Sequence, residues 1–237
     1  MRYVYVTGAD RGLGLALSRI LIRNGFTVFA GSYMPEWHEL GELKAESGDC
    51  LRIVPLDVTS DRSVAEAAET IRRETDRLEI VVNNAAIFLD RSGTIFGELY
   101  FDDMRRIMDT NAFGPLRVTH SVIDLLLGGS RKQLVNISSE AASIANSART
   151  HEFGYTMSKS ALNMQSKLLH NELSPRGVQV FAFHPGYVRS YMLGRLNTDA
   201  TVEPTDSAAG IWSVLESRLG RPDTPIYLDY KGNPMPW

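Results

Sequence analysis

The sequence predicts an α/β protein built on a doubly wound, mostly parallel sheet of seven strands with helices on both faces. Three observations predict it. Short β-branched or aromatic runs alternate with longer stretches of helical period. The connections between them are short, and a glycine-rich turn joins the first run to the first helical stretch. The chain has 237 residues, 43% apolar and 22% charged, which suits one sizeable core. No linker, internal repeat or low-complexity segment divides it, so a single domain over 1–237 is expected.

The elements follow in order. "RYVYVT" leads into a helix whose Leu13, Leu17, Ile20 and Leu21 recur at i, i+4, i+7 and i+8, a buried stripe. "FTVFAG" and "CLRIVPL" are the second and third strands. After "DVTSD", where Thr59 or Ser60 can cap, Val64, Ala68 and Ile71 mark the next helix. "LEIVVN" precedes a long helix over 101–127, "QLVNIS" precedes one over 155–173 that stops before Pro175, and "VQVFAFH" precedes a shorter one over 205–219. "PIYLDY" is the seventh strand candidate. In such a sheet, ligands bind beyond the carboxyl ends of the strands, where strand order reverses.

Composition narrows the function. A formal net charge of −3 with no Lys/Arg cluster gives no reason to expect nucleic acid or an anionic membrane surface. No apolar run approaches the roughly 18 residues of a membrane span. The start "MRYVYVTGAD" goes almost directly into a strand pattern, which leaves no room for a signal peptide, and a cytoplasmic protein is expected. The one cysteine, Cys50, permits neither an internal disulfide nor a multi-cysteine metal site, and a buried structural thiol is expected there. No metal is expected.

"TGADRGLG" places Gly8, Gly12 and Gly14 between the first strand and the first helix. A helix N-terminus with side-chain-free backbone can receive a dinucleotide's pyrophosphate, which makes the sheet Rossmann-type. Enzymes that prefer the unphosphorylated cofactor usually place an acid at the end of strand two, about 20 residues on. Here that place reads "FAGSYMP", with Ser32 and no carboxylate, while Arg11 in the glycine loop can face a 2′-phosphate. NADP(H) is therefore expected, with NAD(H) possible because Glu36 and Glu39 lie close by.

With "NNAA" (83–86), "SS" (138–139), "YTMSK" (155–159) and "HPGYVRS" (184–190) all at strand ends, the chain resembles the short-chain dehydrogenase/reductase family along nearly its whole length. The ending "LDYKGNPMPW" and the insert "ASIANSARTHEFG" resemble its C-factor-like branch, which includes sniffer-type carbonyl reductases. The resemblance implies that Tyr155 is the acid/base, Lys159 its activator, and Ser139 the partner of the carbonyl oxygen, with Ser138 the alternative. It implies that Asn111 distorts the long helix and serves the proton relay. Beside Gly8, Gly12, Leu13 and Gly14 at the pyrophosphate, Arg11 for a 2′-phosphate and Ser32 at the end of strand two, it implies Asp57 and Val58 at the adenine, and Asn84, Ala85 and Ala86 as the floor. Pro185, Gly186, Val188 and Ser190 are implied beside the nicotinamide, together with Tyr155 and Lys159. Ala86 stands where glycine is commoner in the family. His184 is expected to be satisfied locally rather than catalytic.

The chemistry needs these types. Carbonyl reduction takes a hydride from a nicotinamide and a proton for the oxygen in one fixed geometry. A tyrosine with its pKa near 10 needs a nearby positive charge to act as a base at neutral pH. Residues four apart on a helix lie about 5–6 Å apart at Cβ, where two charges interact by roughly 3 kcal/mol at an effective dielectric of about 20. Tyr227 and Lys231 share the spacing, but in an extended segment where four residues span about 13 Å, so that pair gains little.

A small carbonyl or alcohol substrate is expected, selected by segments 88–100, 140–154 and 187–204, with Phe88, Tyr187, Tyr191 and Met192 as candidate lining. Glu140, Arg149 and His151 could favour a polar substrate. The resemblance implies a homodimer or homotetramer paired through the two long helices, with sniffer-like relatives allowing a monomer. Two alternatives are a non-catalytic dinucleotide-binding signalling or redox-sensing protein, and a lyase- or isomerase-type enzyme on the same scaffold.

Overall fold

Each predicted run forms a strand in the computed structural model, which describes residues 1–89, 91, 93–221 and 226–237. Pro225, which opens the last predicted run, and positions 90 and 92 of segment 88–100 lie outside the described residues. The strands are β1 (Tyr3–Val6), β2 (Thr27–Ser32), β3 (Leu51–Pro55), β4 (Ile80–Asn83), β5 (Gln133–Ile137), β6 (Gln179–His184) and β7 (Tyr227–Asp229). They lie in the order β3-β2-β1-β4-β5-β6-β7, every neighbouring pair parallel. Strand order reverses between β1 and β4, so a crevice opens at their carboxyl ends.

The helices are α1 (Gly12–Arg23), α2 (Glu39–Ser47), α3 (Asp61–Arg72), α4 (Phe101–Met108), α5 (Gly114–Gly128), α6 (Phe153–Leu173) and α7 (Pro204–Ser217). Successive strand side chains point to opposite faces, which makes two cores. Val4 and Val6 pack with Leu13, Leu17 and Leu21 of α1 and Ile211 and Val214 of α7. Tyr5 packs with Val64 and Ile71 of α3 and Val118 and Val122 of α5. Of the two capping candidates for α3, Ser60 accepts the Ser63 N–H at 3.2 Å. Helix α1 starts at Gly12 without a side-chain cap, which leaves its first N–H groups facing the crevice.

The sequence pattern and the structure differ in three places. The run 101–127 is two helices joined by a π-helical turn, Asp109–Phe113, with Asn111 at its centre. Wide turns of this kind occur mostly as single insertions inside α-helices, often at functional sites. Helix α2 was not expected, because its only buried residues are Leu40 and Leu43, too few for a readable stripe. Cys50 is exposed, against the expectation of burial: it ends the single turn Gly48–Cys50 before edge strand β3, outside both cores.

Candidate active site

The glycine loop is shaped by backbone that side chains would block. Gly8 and Gly12 have φ of +62° and +55°, the left-handed region that favours glycine. A Cβ on Gly14 would sit 2.2 Å from the Gly8 carbonyl oxygen and 2.5 Å from Asn84 Nδ2, and one on Gly8 would sit 2.8 Å from Ala85 Cα. Asn84 locks this loop to β4: its Nδ2 donates to the carbonyls of Thr7 at 3.0 Å and Gly8 at 2.9 Å. The Thr7 hydroxyl accepts the N–H groups of Asn84 and Ala85, each at 3.0 Å. The result is an open cradle at the start of α1, in a cavity of about 700 Å³. The cradle fits a dinucleotide, because positive φ and the missing Cβ atoms leave bare N–H groups at a helix N-terminus.

At the carboxyl end of β5 the two serines turn opposite ways. Ser138 Oγ donates to Asn163 Oδ1 of α6 at 2.7 Å, while the Ser139 side chain is hydrogen-bonded to Tyr155. Of the pair, Ser139 meets the tyrosine. Asn111 is fully buried, and its amide both donates to the Ile87 carbonyl and accepts the Ile87 N–H at 2.9 Å. It also reaches Ser158 Oγ of α6 at 3.2 Å, so the π turn ties the loop after β4 to the helix that carries Tyr155.

Lys159 is 2% exposed, donates to the Ile137 carbonyl at 2.8 Å and lies 5.8 Å from the centroid of the Tyr155 ring. Burial pulls the Lys159 ammonium from its ordinary 10.5 down to about 8. Burial likewise pushes the Tyr155 hydroxyl above the ordinary tyrosine range; the hydrogen bond with Ser139 opposes this, and the charges of Glu140 and Glu152 add to it. The shift of Tyr155 is thus upward, against the expected lowering by Lys159: burial is its largest cause, and the positive charge that opposes it is that of Arg149. The hydroxyl therefore stays protonated at neutral pH, a proton donor rather than a base.

Several residues stand where the motif order placed them. Asp57 Oδ1 accepts the Thr59 N–H at 2.9 Å and its hydroxyl at 2.7 Å, and Val58 packs under Gly114. Pro185 O accepts the Ser207 hydroxyl at 2.7 Å, Gly186 has φ of +85°, and Val188 bridges Val202. Ser190 faces Gly12, and Leu13, Ala86, Phe88, Tyr187, Tyr191 and Met192 line the same cavity. The rings of Phe88 and Tyr155 stand 5.1 Å apart. His184 Nδ1 accepts the Glu140 N–H at 3.0 Å, a local use of that nitrogen. Arg149 bonds both Glu140 and Glu152, so the three charges largely satisfy one another.

Two site residues were missed by the sequence reading. Tyr227, set aside as the decoy of the Tyr-Lys spacing, donates its hydroxyl to the Ser139 carbonyl at 2.6 Å. No local pattern points to it, because the contact spans 88 positions. Asp10 is the other. It is 5% exposed and accepts from Ser32 Oγ at 2.5 Å, Tyr33 N–H at 3.1 Å and Met34 N–H at 3.2 Å. The end of β2 thus does hold a carboxylate, contrary to the sequence reading, and the glycine loop supplies it. Arg11 lies with its guanidinium 4.2 Å from the Trp37 ring centroid and 5.5 Å from that of Tyr191. Among the described residues no group of His, Cys, Asp and Glu could hold a metal ion, and no helix is long and apolar enough to cross a membrane.

Comparison with known proteins agrees with this architecture. The chain is 32% identical over 165 residues to C-signal of Myxococcus xanthus, covering 69% of this chain and 95% of that one. It is 34% identical over 192 residues to the mitochondrial D-beta-hydroxybutyrate dehydrogenase of Mus musculus, covering 77% of this chain and spanning about half, 53%, of that enzyme. The NADPH-bound carbonyl reductase from chicken fatty liver superposes with a TM-score of 0.85 at 30% identity, over 100% of this chain and 99% of that one. The carbonyl reductase Sniffer of D. melanogaster has the same fold, with a TM-score of 0.88 at 24% identity and 100% of both chains covered. The family model for short chain dehydrogenase matches residues 2–201, and the chain belongs to that family of oxidoreductases.

Proposed function

We propose that this protein transfers a hydride between a nicotinamide dinucleotide and a ketone, an aldehyde or a secondary alcohol, with Tyr155 as the acid/base. The observation that carries the reading is the meeting of Tyr155 with Ser139 beside buried Lys159, in the cavity that also contains the glycine cradle. The nicotinamide supplies or accepts the hydride when bound. Gly8, Gly12, Leu13 and Gly14 hold the pyrophosphate, Asp57 and Val58 flank the adenine, and Asn84, Ala85 and Ala86 form the floor. Pro185, Gly186, Val188 and Ser190 fix the nicotinamide side. The hydroxyls of Ser139 and Tyr155 bind the substrate oxygen, and in reduction Tyr155 gives it a proton. Lys159 holds positive charge behind Tyr155 while the proton is in transit. Asn111 keeps the loop after β4 and α6 in register.

Arg11 and the NADPH-bound chicken relative support NADP(H) as the cofactor. NAD(H) is a second reading, favoured by the carboxylate of Asp10 at the end of β2. The signalling reading draws on C-signal, but a pure sensor has no use for a buried proton relay. Phe88, Tyr187, Tyr191 and Met192 favour a substrate with an apolar body. A second copy of the chain is proposed against α4, the π turn, α5 and α6, where Phe101, Phe113, Leu116, Met157, Met164 and Leu168 stand exposed.

The test is a panel of carbonyl compounds and alcohols assayed at about 340 nm with each cofactor. Tyr155→Phe should lose turnover by roughly 100-fold or more while it still binds the dinucleotide. Full turnover in that variant sinks the mechanism.

A further inference from the structure

Asp10 sits where two parts of the cofactor site meet. It belongs to the loop that leads into α1, yet its carboxylate is bonded to three groups at the end of β2. In this fold the pyrophosphate lies at the α1 N-terminus and the adenosine ribose between it and the end of β2. A ribose held there would border Asp10, which lines the cavity together with Tyr33 and Met34. Its three donors are neutral, so its charge is not cancelled by an ion pair with them. The Ser32 hydroxyl, expected at the cofactor, is already given to Asp10. Arg11, the cation expected to meet a phosphate, is stacked on Trp37 and points one N–H at the Tyr191 carbonyl at 3.4 Å.

We propose that Asp10 is the cofactor-selecting residue of this chain: its carboxylate at the ribose corner disfavours an anionic 2′-substituent, so that NAD(H) competes with NADP(H) despite Arg11. A carboxylate accepts hydrogen bonds from a ribose diol and repels a phosphate, and in a partly buried corner that repulsion is weakly screened. The three hydrogen bonds to the end of β2 hold the charge in place, as a freely rotating surface acid would not. This rests on the dinucleotide site assigned above, and its test separates the two.

The competing explanation is that Asp10 merely braces the turn after β2. Calorimetric binding of ADP-ribose and of its 2′-phosphorylated form, to the parent chain and to Asp10→Asn and Asp10→Ser, distinguishes them. The expected result is a rise of roughly tenfold or more, about 1.4 kcal/mol, in the affinity ratio of the phosphorylated to the plain ligand, in both variants. The same shift should appear in the ratio of kcat/KM for NADPH and NADH. A thermal melt of each variant shows that it is folded; if one is not, the other carries the measurement. Loss of affinity for both ligands together, with their ratio within about twofold of the parent, makes Asp10 a brace and overturns the assignment. A shifted ratio with no turnover on any carbonyl compound would leave Asp10 as the selector and refute the oxidoreductase reading. Turnover with an unshifted ratio would do the reverse.

Discussion

Replacing Lys159 with methionine should make the protein more stable at neutral pH while abolishing its chemistry. The ammonium is 2% exposed, and its pKa falls from 10.5 to about 8. A difference of that size is worth about 3 kcal/mol at about 1.4 kcal/mol per pH unit. The variant also loses the 2.8 Å bond to the Ile137 carbonyl, which costs about 1 kcal/mol. A net gain of about 2 kcal/mol remains at pH 7, or roughly 4–8 °C in Tm for a chain of this size. The sign with pH follows from linkage. Because the folded pKa lies below the unfolded one, the penalty is fully present below about pH 8 and fades as pH rises toward 10.5. The parent should therefore catch up, and most of the gap should close by about pH 10. Urea unfolding of both proteins at neutral and alkaline pH measures this. A variant less stable than the parent at pH 7, or a gap that does not change with pH, refutes the reasoning. Stability given up at a reactive residue is the usual trade at such sites.

Two further outcomes follow from the geometry. Tyr227→Phe removes the hydroxyl that holds the Ser139 carbonyl but keeps the ring in the core; kcat should fall several-fold with KM for the dinucleotide unchanged, and Tm should drop by roughly 2–4 °C. A lower Tm with unchanged kcat would reduce Tyr227 to a core residue. Sedimentation velocity should show a dimer or tetramer that Met164→Asp, on the exposed face of α6, converts to a smaller species; a monomeric parent contradicts the pairing.

The alternation of elements was legible because each run carries its own period, and the periods differ. Tyr155 and Lys159 were legible because helical spacing brings them together without help from the rest of the chain. Ser139 could be separated from Ser138 only in three dimensions, where α6 presents Asn163 to one and Tyr155 to the other. The exposure of Cys50 was not legible, since residue preference says nothing of a turn at the sheet's rim. Asp10 escaped for a related reason. A search for an acid 20 residues past the glycines looks along the chain, whereas the acid arrives from the loop beside them. The charge argument for Tyr155 counted the lysine and left out desolvation, which acts on both partners and is larger.

The hydrogen bond from Tyr227 to Ser139 has a consequence for the order in which the protein becomes competent. The glycine cradle, the two serines and the Tyr155–Lys159 turn all lie earlier in the chain than β7, as synthesis meets them. The N–H of Ala145, in the insert before α6, donates to the carbonyl of Trp237, later still, at 2.8 Å. On the proposed function, every residue assigned to the dinucleotide precedes β7 in the chain, and β7 adds the hydroxyl that holds the Ser139 carbonyl. Under that proposal the groups for affinity are complete in sequence before those for reactivity, and the final strand closes the site.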